Sequence, residues 1–465
     1  MTRFAAVAAL SSLLLTSCAI GPNYKRPVVQ VPAAYNGPPA PSNASIADLA
    51  PFDLFDDPTL TELLKTALAQ NNDLSIAAER VLEARAQFGI ARSNQFPSLD
   101  ATAQLNSSRT SSIGSYTFIP PGTDLSSTFT QAGFSLSWEL DLWGRVRRLK
   151  ESARAQYLAT EEARHGVMAT VIADVTTNYL TLLELDQELE IAQHTRQIGE
   201  QGLKLTELRH QRGAATGLDV RQAQELLYTA TAQIAATERL RGETENALSV
   251  LLGRNPGPVS RGKKLVELAD AAQIPGGLPS RLIERRPDIR EAENTLIAAN
   301  AQIGAAEALY FPQISLTSFL GGQSRSLSQL FTGPARQWTI APVADLSIFN
   351  AGRLRNNVHY AQATQREMIV GYRKAVQNGF REVSDSLIDH QKNLEQRKQQ
   401  ELFVDALRDA DRLSQARYKG GLDSYLQVLD AQRSLFQGEL ALARLQRDEL
   451  ASVVELYRAL GGGWQ

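Results

Sequence analysis

The chain carries one cysteine, Cys18, in 465 residues, so no cysteine-built metal centre is available to it. Its five histidines (His165, His194, His210, His359 and His390) never fall three or four residues apart, so zinc-like spacing is missing too. Walker-type and dinucleotide-binding fingerprints are absent, which leaves no catalytic site, no cofactor and no metal to expect. Any energy the protein uses must come from a partner. An excess of basic charge is lacking as well: 48 Lys and Arg stand against 50 Asp and Glu, interspersed, giving a net charge of −2. That leaves no electrostatic footprint for nucleic acid. After Cys18 no run of 18 apolar residues occurs, so hydropathy alone reads the mature chain as soluble. Membrane-spanning strands escape that test, because their signal is much weaker than that of helices.

Proline is missing from two long stretches, Arg145 to Arg212 and Arg353 to Lys419, both rich in Ala, Leu, Glu, Gln and Arg. Each predicts one continuous helix of roughly 100 Å at 1.5 Å per residue. Val175, Tyr179, Leu182 and Leu189 keep a 4–3–7 spacing that points to coiled-coil-like packing.

What is present begins with the amino terminus. Met1-Thr2-Arg3 and the apolar Phe4 to Leu15 read as a secretory signal over residues 1–17. Leu15-Thr16-Ser17-Cys18 then resembles a lipobox, which predicts cleavage before Cys18 and acylation of its thiol. Each buried methylene contributes roughly 0.8 kcal/mol, so several acyl chains form a lasting anchor. Ala19 after the cysteine points to the outer membrane. Residues 18–57, rich in Pro, Asn, Ser and Ala, predict an extended, wrapping segment.

Most of the remainder is written twice, as residues 58–253 and 287–461. Asp73 answers to Asp288 and Pro97 to Pro312, an offset of 215. From Gly144 and Gly352 onward the offset is 208, and it holds through Gly213 and Gly421 to Gly253 and Gly461. The seven-residue difference therefore lies between Pro97 and Trp143, marking a solvent-facing loop. Each copy reads helix, strand, loop, strand, very long helix, turn, helix. Strands are predicted by period-two alternation at about 98–107, 128–142, 313–321 and 337–348. The fourth begins at Trp338-Thr339-Ile340 and leads to Leu346-Ser347-Ile348. Ser107 to Ser127 is the long loop between the first two. Residues 254–286 form a linker, with Asn255 to Pro279 its irregular part, and 462–465 a short tail.

Four strands with one lipid-compatible face cannot close alone, since bilayer barrels need at least about eight and lipid tolerates no open edge. The chain must therefore oligomerise, and two, three or four copies are all open on this ground. Helices without a lipid-length apolar run belong in water and should continue the barrel as a tube.

These residues resemble the outer membrane factors of tripartite efflux systems, the TolC/OprM-like channels, and specifically their NodT-type lipoprotein branch. The matching stretches are Cys18-Ala19-Ile20-Gly21-Pro22-Asn23-Tyr24, Asp57-Pro58-Thr59-Leu60, Leu278-Pro279-Ser280, Arg285-Arg286-Pro287-Asp288 and Phe311-Pro312. Arg417-Tyr418-Lys419 through Leu426, Val428 to Ser434, and Ala459-Leu460-Gly461-Gly462-Gly463-Trp464 complete them. The resemblance implies a mainly α fold with a β-barrel part: a homotrimer whose 12-stranded outer-membrane barrel continues into an α-helical periplasmic barrel. It implies a passive exit duct served by a periplasmic adaptor and an inner-membrane RND-type transporter. A secretion-system channel and a structural periplasmic lipoprotein are the alternatives.

The paired turns, Arg212 to Thr216 and Lys419 to Ser424, would dock the adaptor through Gly213, Thr216, Gly421 and Ser424. By the same resemblance Asp219 and Asp430 would help close the periplasmic aperture, with Arg417 and Tyr418 opposite. Asp430 would join a ring facing the pore, and Asp219 a hydrogen-bonded link to a basic group or a tyrosine. Gln427 departs from the pattern: a second ring carboxylate is expected there. Asp423 stands at a position that is basic in TolC. Trp138, Trp143 and Trp338 fit either an interfacial girdle or ordinary packing.

Overall fold

A computed structural model describes residues 19–37, 45–114, 120, 122, 124–268 and 279–464. Cys18 and the signal segment lie outside them, as do 269–278. Nine helices and four strands are described, in the order α1 Pro58–Gln70, α2 Asn72–Ser93, β1 Ser98–Arg109, β2 Ser126–Leu140, α3 Arg145–Gln211, α4 Gly217–Leu251, α5 Leu265–Leu268, α6 Pro279–Arg285, α7 Pro287–Ala308, β3 Gln313–Ser324, β4 Arg336–Asp345, α8 Arg353–Lys419 and α9 Tyr425–Ala459.

The copies match in length. α3 and α8 have 67 residues each, α4 and α9 have 35, and α2 and α7 have 22. All four long helices end alike. Gly213, Gly253, Gly421 and Gly461 have φ between 70° and 79°, and each is bracketed by the paired bonds of a Schellman motif.

The chain forms two compact units. One contains Leu82–Ala159, Glu293–Gly371 and the described part of Met1–Pro27; the other contains Val28–Val81, Thr160–Ala292 and Tyr372–Gln465.

The first unit holds a single antiparallel sheet in the order β1-β2-β3-β4. Its register puts like residues side by side. Leu99, Leu136, Ser318 and Ile340 form one row, Ala101, Phe134, Leu320 and Trp338 the next, then Trp138, Leu316 and Pro342. These rows share a face, since partners directly opposite point the same way. The other face carries Asp100, Ser135 and Thr339, and a Gln104–Gln131 side-chain hydrogen bond of 2.7 Å. The apolar face is open: Leu99 is 68%, Leu320 65% and Trp338 71% exposed. β1 and β4 are the two unpaired edges.

Strand boundaries depart from the alternation pattern at the sheet's lower end. β4 stops at Asp345, opposite Gln313, rather than running to 348. Pro312, just before Gln313, has no N–H to offer, so Leu346-Ser347-Ile348 has no ladder to join. β2 stops at Leu140 rather than 142, because the Asp141 carboxylate accepts the Val146 and Arg147 amides (3.0 and 2.9 Å) to start α3. At the upper end the strands reach into the expected loop, to Arg109 and from Ser126, and β3 continues to Ser324. Trp138 and Trp143 donate to the Gln95 and Pro312 carbonyls (3.1 and 2.8 Å), and Trp143 stacks on Phe311 at 4.9 Å. Both sit at the foot of the sheet.

The same unit clamps the chain that follows Cys18. The buried Arg148 donates to the carbonyls of Ile20 and Gly21 and to Asn23 Oδ1 (3.1, 3.1 and 2.9 Å). Asn300 holds the Pro22 carbonyl at 2.9 Å. Tyr24 and Arg26 both donate to Glu293, Arg26 through two bonds of 2.6 and 2.8 Å. Gly21 is needed here because a Cβ would run into the Gly304 backbone.

The second unit is built around a main apolar core in which Leu64, Val175, Tyr179, Leu182, Leu248 and Leu456 are essentially sealed, with a smaller cluster around Leu189 and Phe436. Val175, Tyr179, Leu182 and Leu189 are all buried, as their spacing requires. Helix α3 does contain one window long and apolar enough to cross a membrane. It is not an unbroken apolar run, because polar residues such as Asp174, Thr176, Thr177 and Asn178 interrupt the apolar part of α3. More than half of it is buried within the protein, so it is a core segment. Asp57 is the polar hub of this unit. It caps α1 through the Thr59 and Leu60 amides (2.8 and 3.3 Å), accepts the Tyr179 hydroxyl at 2.7 Å and accepts the Lys263 amide at 3.2 Å. The Tyr179 hydroxyl in turn accepts Gly262 N–H at 2.9 Å. The N-terminal segment is less irregular than its composition suggests, with 3-10 turns at Ile46–Asp48 and Pro51–Asp53. The linker likewise carries α5 and ends in α6.

Candidate functional site: the paired hairpin tips

The turn between α3 and α4 and the turn between α8 and α9 have the same backbone. Gly213 N–H bonds to the His210 carbonyl and Ala214 N–H to that of Arg209; Gly421 and Leu422 repeat this with Tyr418 and Arg417. Both glycines have φ near 70°, which a residue with a Cβ adopts only with strain, and nothing lies within 4 Å of where a Cβ would be. The tips are therefore glycine-turned and open to an approaching surface.

The side chains differ between the copies. In the first, Thr216 and Asp219 form a reciprocal capping box: the Asp219 carboxylate accepts Thr216 N–H and hydroxyl (2.6 and 2.8 Å), and the Thr216 hydroxyl accepts the Asp219 amide. Those bonds hold the Asp219 carboxyl below the usual carboxylate range. In this chain Asp219 thus bonds to its own cap. In the second copy Ser424 occupies the cap position without a side-chain bond, and Gln427, the counterpart of Asp219, is exposed.

Arg417 grips Asp423 with two bonds, 2.5 and 3.1 Å, and lowers the Asp423 pKa. Position 423 corresponds to Ala215 in the first copy, where no carboxylate is available. The counterpart of Arg417, Arg209, instead crosses to the other hairpin. It hydrogen-bonds the Tyr418 hydroxyl and lies 4.7 Å from the ring centroid. Tyr418 also meets Tyr425 at 5.0 Å. Asp430, one turn up α9, pairs with Arg433 at 2.6 Å and is exposed. The structure therefore brings Tyr418 into a cross-hairpin cluster with Arg209 and Tyr425, while Asp219, Asp430 and Arg417 are each bound within their own hairpin. Arg209 and Tyr425 were not picked out by sequence pattern. The signal was the missing acid at Ala215, visible once the copies are aligned.

Among the described residues no group of three or more His, Cys, Asp or Glu is placed to hold a metal ion.

An exposed apolar sheet face, two open edges and a duplicated helical hairpin are the marks of one class of channel, and comparison with known proteins decides the matter. The family model described as outer membrane efflux protein matches twice, over residues 63–254 and 278–462. The chain belongs to the outer membrane efflux protein family. It is 39% identical over 472 residues to the solvent efflux pump outer membrane protein SrpC of Pseudomonas putida, covering 99% of each chain. It is 34% identical to the cation efflux system protein CusC of Escherichia coli O6:H1, with 98% of this chain and 97% of CusC covered. Among solved structures, the open state of the Neisseria gonorrhoeae MtrE outer membrane channel superposes with a TM-score of 0.86 at 33% identity, covering 96% of this chain and 99% of MtrE. The fold is thus that of the TolC-like channels, and the protein is an outer-membrane efflux channel component.

Proposed function

We propose that this protein is the exit duct of a tripartite efflux pump, working as a homotrimer. The observation that carries the reading is the sheet: four strands, two unpaired edges and one exposed apolar face. β1 and β4 run in opposite directions, so β4 of one copy can pair antiparallel with β1 of the next. Three copies would close a 12-stranded barrel with Leu99, Phe134, Leu320 and Trp338 toward lipid, and the polar face would line the lumen. The relatives at full-length coverage are named as outer-membrane parts of pumps, which supports an adaptor and an inner-membrane RND-type transporter as partners.

In this reading residues 1–17 are removed and Cys18 is acylated, with the Arg148 clamp holding the following strap against the foot of the barrel. Residues 58–253 and 287–461 supply the two matching halves of each copy's third of the wall, and 254–286 and 462–465 belong to the belt around it. The glycine tips, with Gly213, Thr216, Gly421 and Ser424, meet the adaptor. The Arg209–Tyr418 link ties the two hairpins at the aperture, with Asp219, Asp430, Arg417 and Gln427 beside it. The duct itself performs no chemistry, and cargo is set by the transporter. The relatives' names, one for solvents and one for cations, fit a conduit that does not choose.

The test is the oligomer. Native mass spectrometry of the full chain in detergent should give a trimer that resists SDS until heated, and planar-bilayer recordings should show ion-conducting channels. A monomer without conductance would refute the reading.

A further inference from the structure

The two ends of the sheet treat their cations differently. At the foot they are answered by acids: Arg145 bonds Glu139 at 2.8 Å, and Arg147 bonds Asp141 at 3.2 Å. The far end holds Arg109, Arg325 and Arg336, all exposed, and Asp124 is the only acid the sequence supplies there. Asp124 accepts the Ser126 amide at 2.8 Å. Among the described residues no ion pair or side-chain hydrogen bond engages any of the three arginines. A neighbouring copy of the chain would bring the same residues, and so only another Asp124.

Register sets these cations on the apolar face. Arg336 lies opposite Gly322, in the row directly beyond that of Phe134, Leu320 and Trp338, and shares their face. Arg109 alternates with Leu105 on β1 and shares it too. The connection between β3 and β4 folds back over this same face, because a Cβ on Gly322 would run into the Leu330 carbonyl. It carries two 3-10 turns, Leu327–Gln329 and Gly333–Ala335. Leu330 is buried between them, whereas Leu327 and Phe331 are 70% and 87% exposed. Such turns keep carbonyls outside any ladder, which hydrocarbon does not tolerate, so the fold-back marks the level where the apolar band meets headgroups. Unanswered arginines and bare apolar side chains stand together at that level.

We propose that Arg336 and Arg325 bind a phosphate of the outer-leaflet glycolipid, with Leu327, Phe331 and Trp338 against its acyl chains; the proposal rests on the sheet facing lipid. A guanidinium takes phosphate through paired, charge-assisted hydrogen bonds. The phosphorylated headgroup supplies the acid that the sequence omits, and the acyl chains cover side chains that water would otherwise meet. A small soluble anion would answer the charge and leave the apolar half bare. β4 is an edge strand, so the lipid bound at Arg336 lies beside the junction with the next copy.

Native mass spectrometry of the full chain in detergent, titrated with purified bisphosphorylated lipid A, reads the oligomer and its bound lipid in one spectrum. Wild-type trimers should hold lipid A about tenfold more tightly than trimers carrying both Arg325→Gln and Arg336→Gln. Dephosphorylated lipid A should bind wild type no better than the phosphorylated form binds the variant, and inorganic phosphate at equal concentration should displace nothing. Equal retention by the variant, equal binding of the dephosphorylated lipid, or displacement by inorganic phosphate would each overturn the proposal. Trimers without lipid sink this proposal alone, whereas a monomer sinks the oligomeric reading and this proposal with it. If the variant does not assemble, the comparison of the two lipids on wild type decides.

Discussion

The Arg209 guanidinium lies over the Tyr418 ring, 4.7 Å from its centroid, and donates to its hydroxyl, so one tip of the protein is tied to the other. Tyr425 and Arg433 also reach across, to Thr206 and to Glu225 (4.0 Å) of the first hairpin. Arg209→Ala should free the tips, at a stability cost of about 0.5–1 kcal/mol, the usual range for an exposed cation–π contact. In planar bilayers, Arg209→Ala, and Tyr418→Phe combined with Asp430→Ala, should each raise single-channel conductance. Unchanged conductance in both removes the cluster from the gate.

Thr216 and Ser424 stand at equivalent cap positions but should respond differently. Thr216→Ala loses a reciprocal box and should cost about 1 kcal/mol, seen as faster amide exchange at the start of α4. Ser424→Ala should be close to neutral, because its hydroxyl makes no cap bond. Equal losses would mean the capping asymmetry is not real in solution.

Asp57 is 2% exposed and satisfies two helix amides, a tyrosine hydroxyl and the Lys263 amide. Asp57→Ala leaves those buried donors unanswered and should destabilise the protein by about 3 kcal/mol, measurable as a lower denaturant midpoint. Tyr179→Phe, which removes one hydroxyl, should cost less than half of that.

Metabolic labelling with palmitate should mark the wild-type chain and not Cys18→Ser. The clamp beyond the cysteine predicts more: Arg148→Ala should leave labelling intact yet expose the Ile20 to Tyr24 strap to protease. Protection unchanged in Arg148→Ala would show that the strap is held by lipid alone.

Much of the architecture was legible because it rests on one-dimensional signals. Proline-free runs gave α3 and α8 almost to the residue, since each ends at a glycine the pattern already marks. The alternation at Leu99 to Leu105 and Phe134 to Leu140 was readable because only one sheet face is apolar. Strand ends were not, because they depend on partners: Leu346 to Ile348 alternates well but has Pro312 opposite, and the Asp141 side chain leaves the strand pattern to cap a helix. At the tips, residue type marked the right turns but not the bonding. Whether Arg417 reaches Asp423 and Arg209 reaches Tyr418 depends on one substitution in the repeat, Ala215 for Asp423, that periodicity cannot weigh.

β1 and β4 leave a row of backbone donors and acceptors unanswered on each side of the sheet. A copy damaged on just one of these rims could still join a healthy neighbour by the other. Mixed populations would then contain rings with a single leaking seam, and such an allele would be dominant over the intact gene.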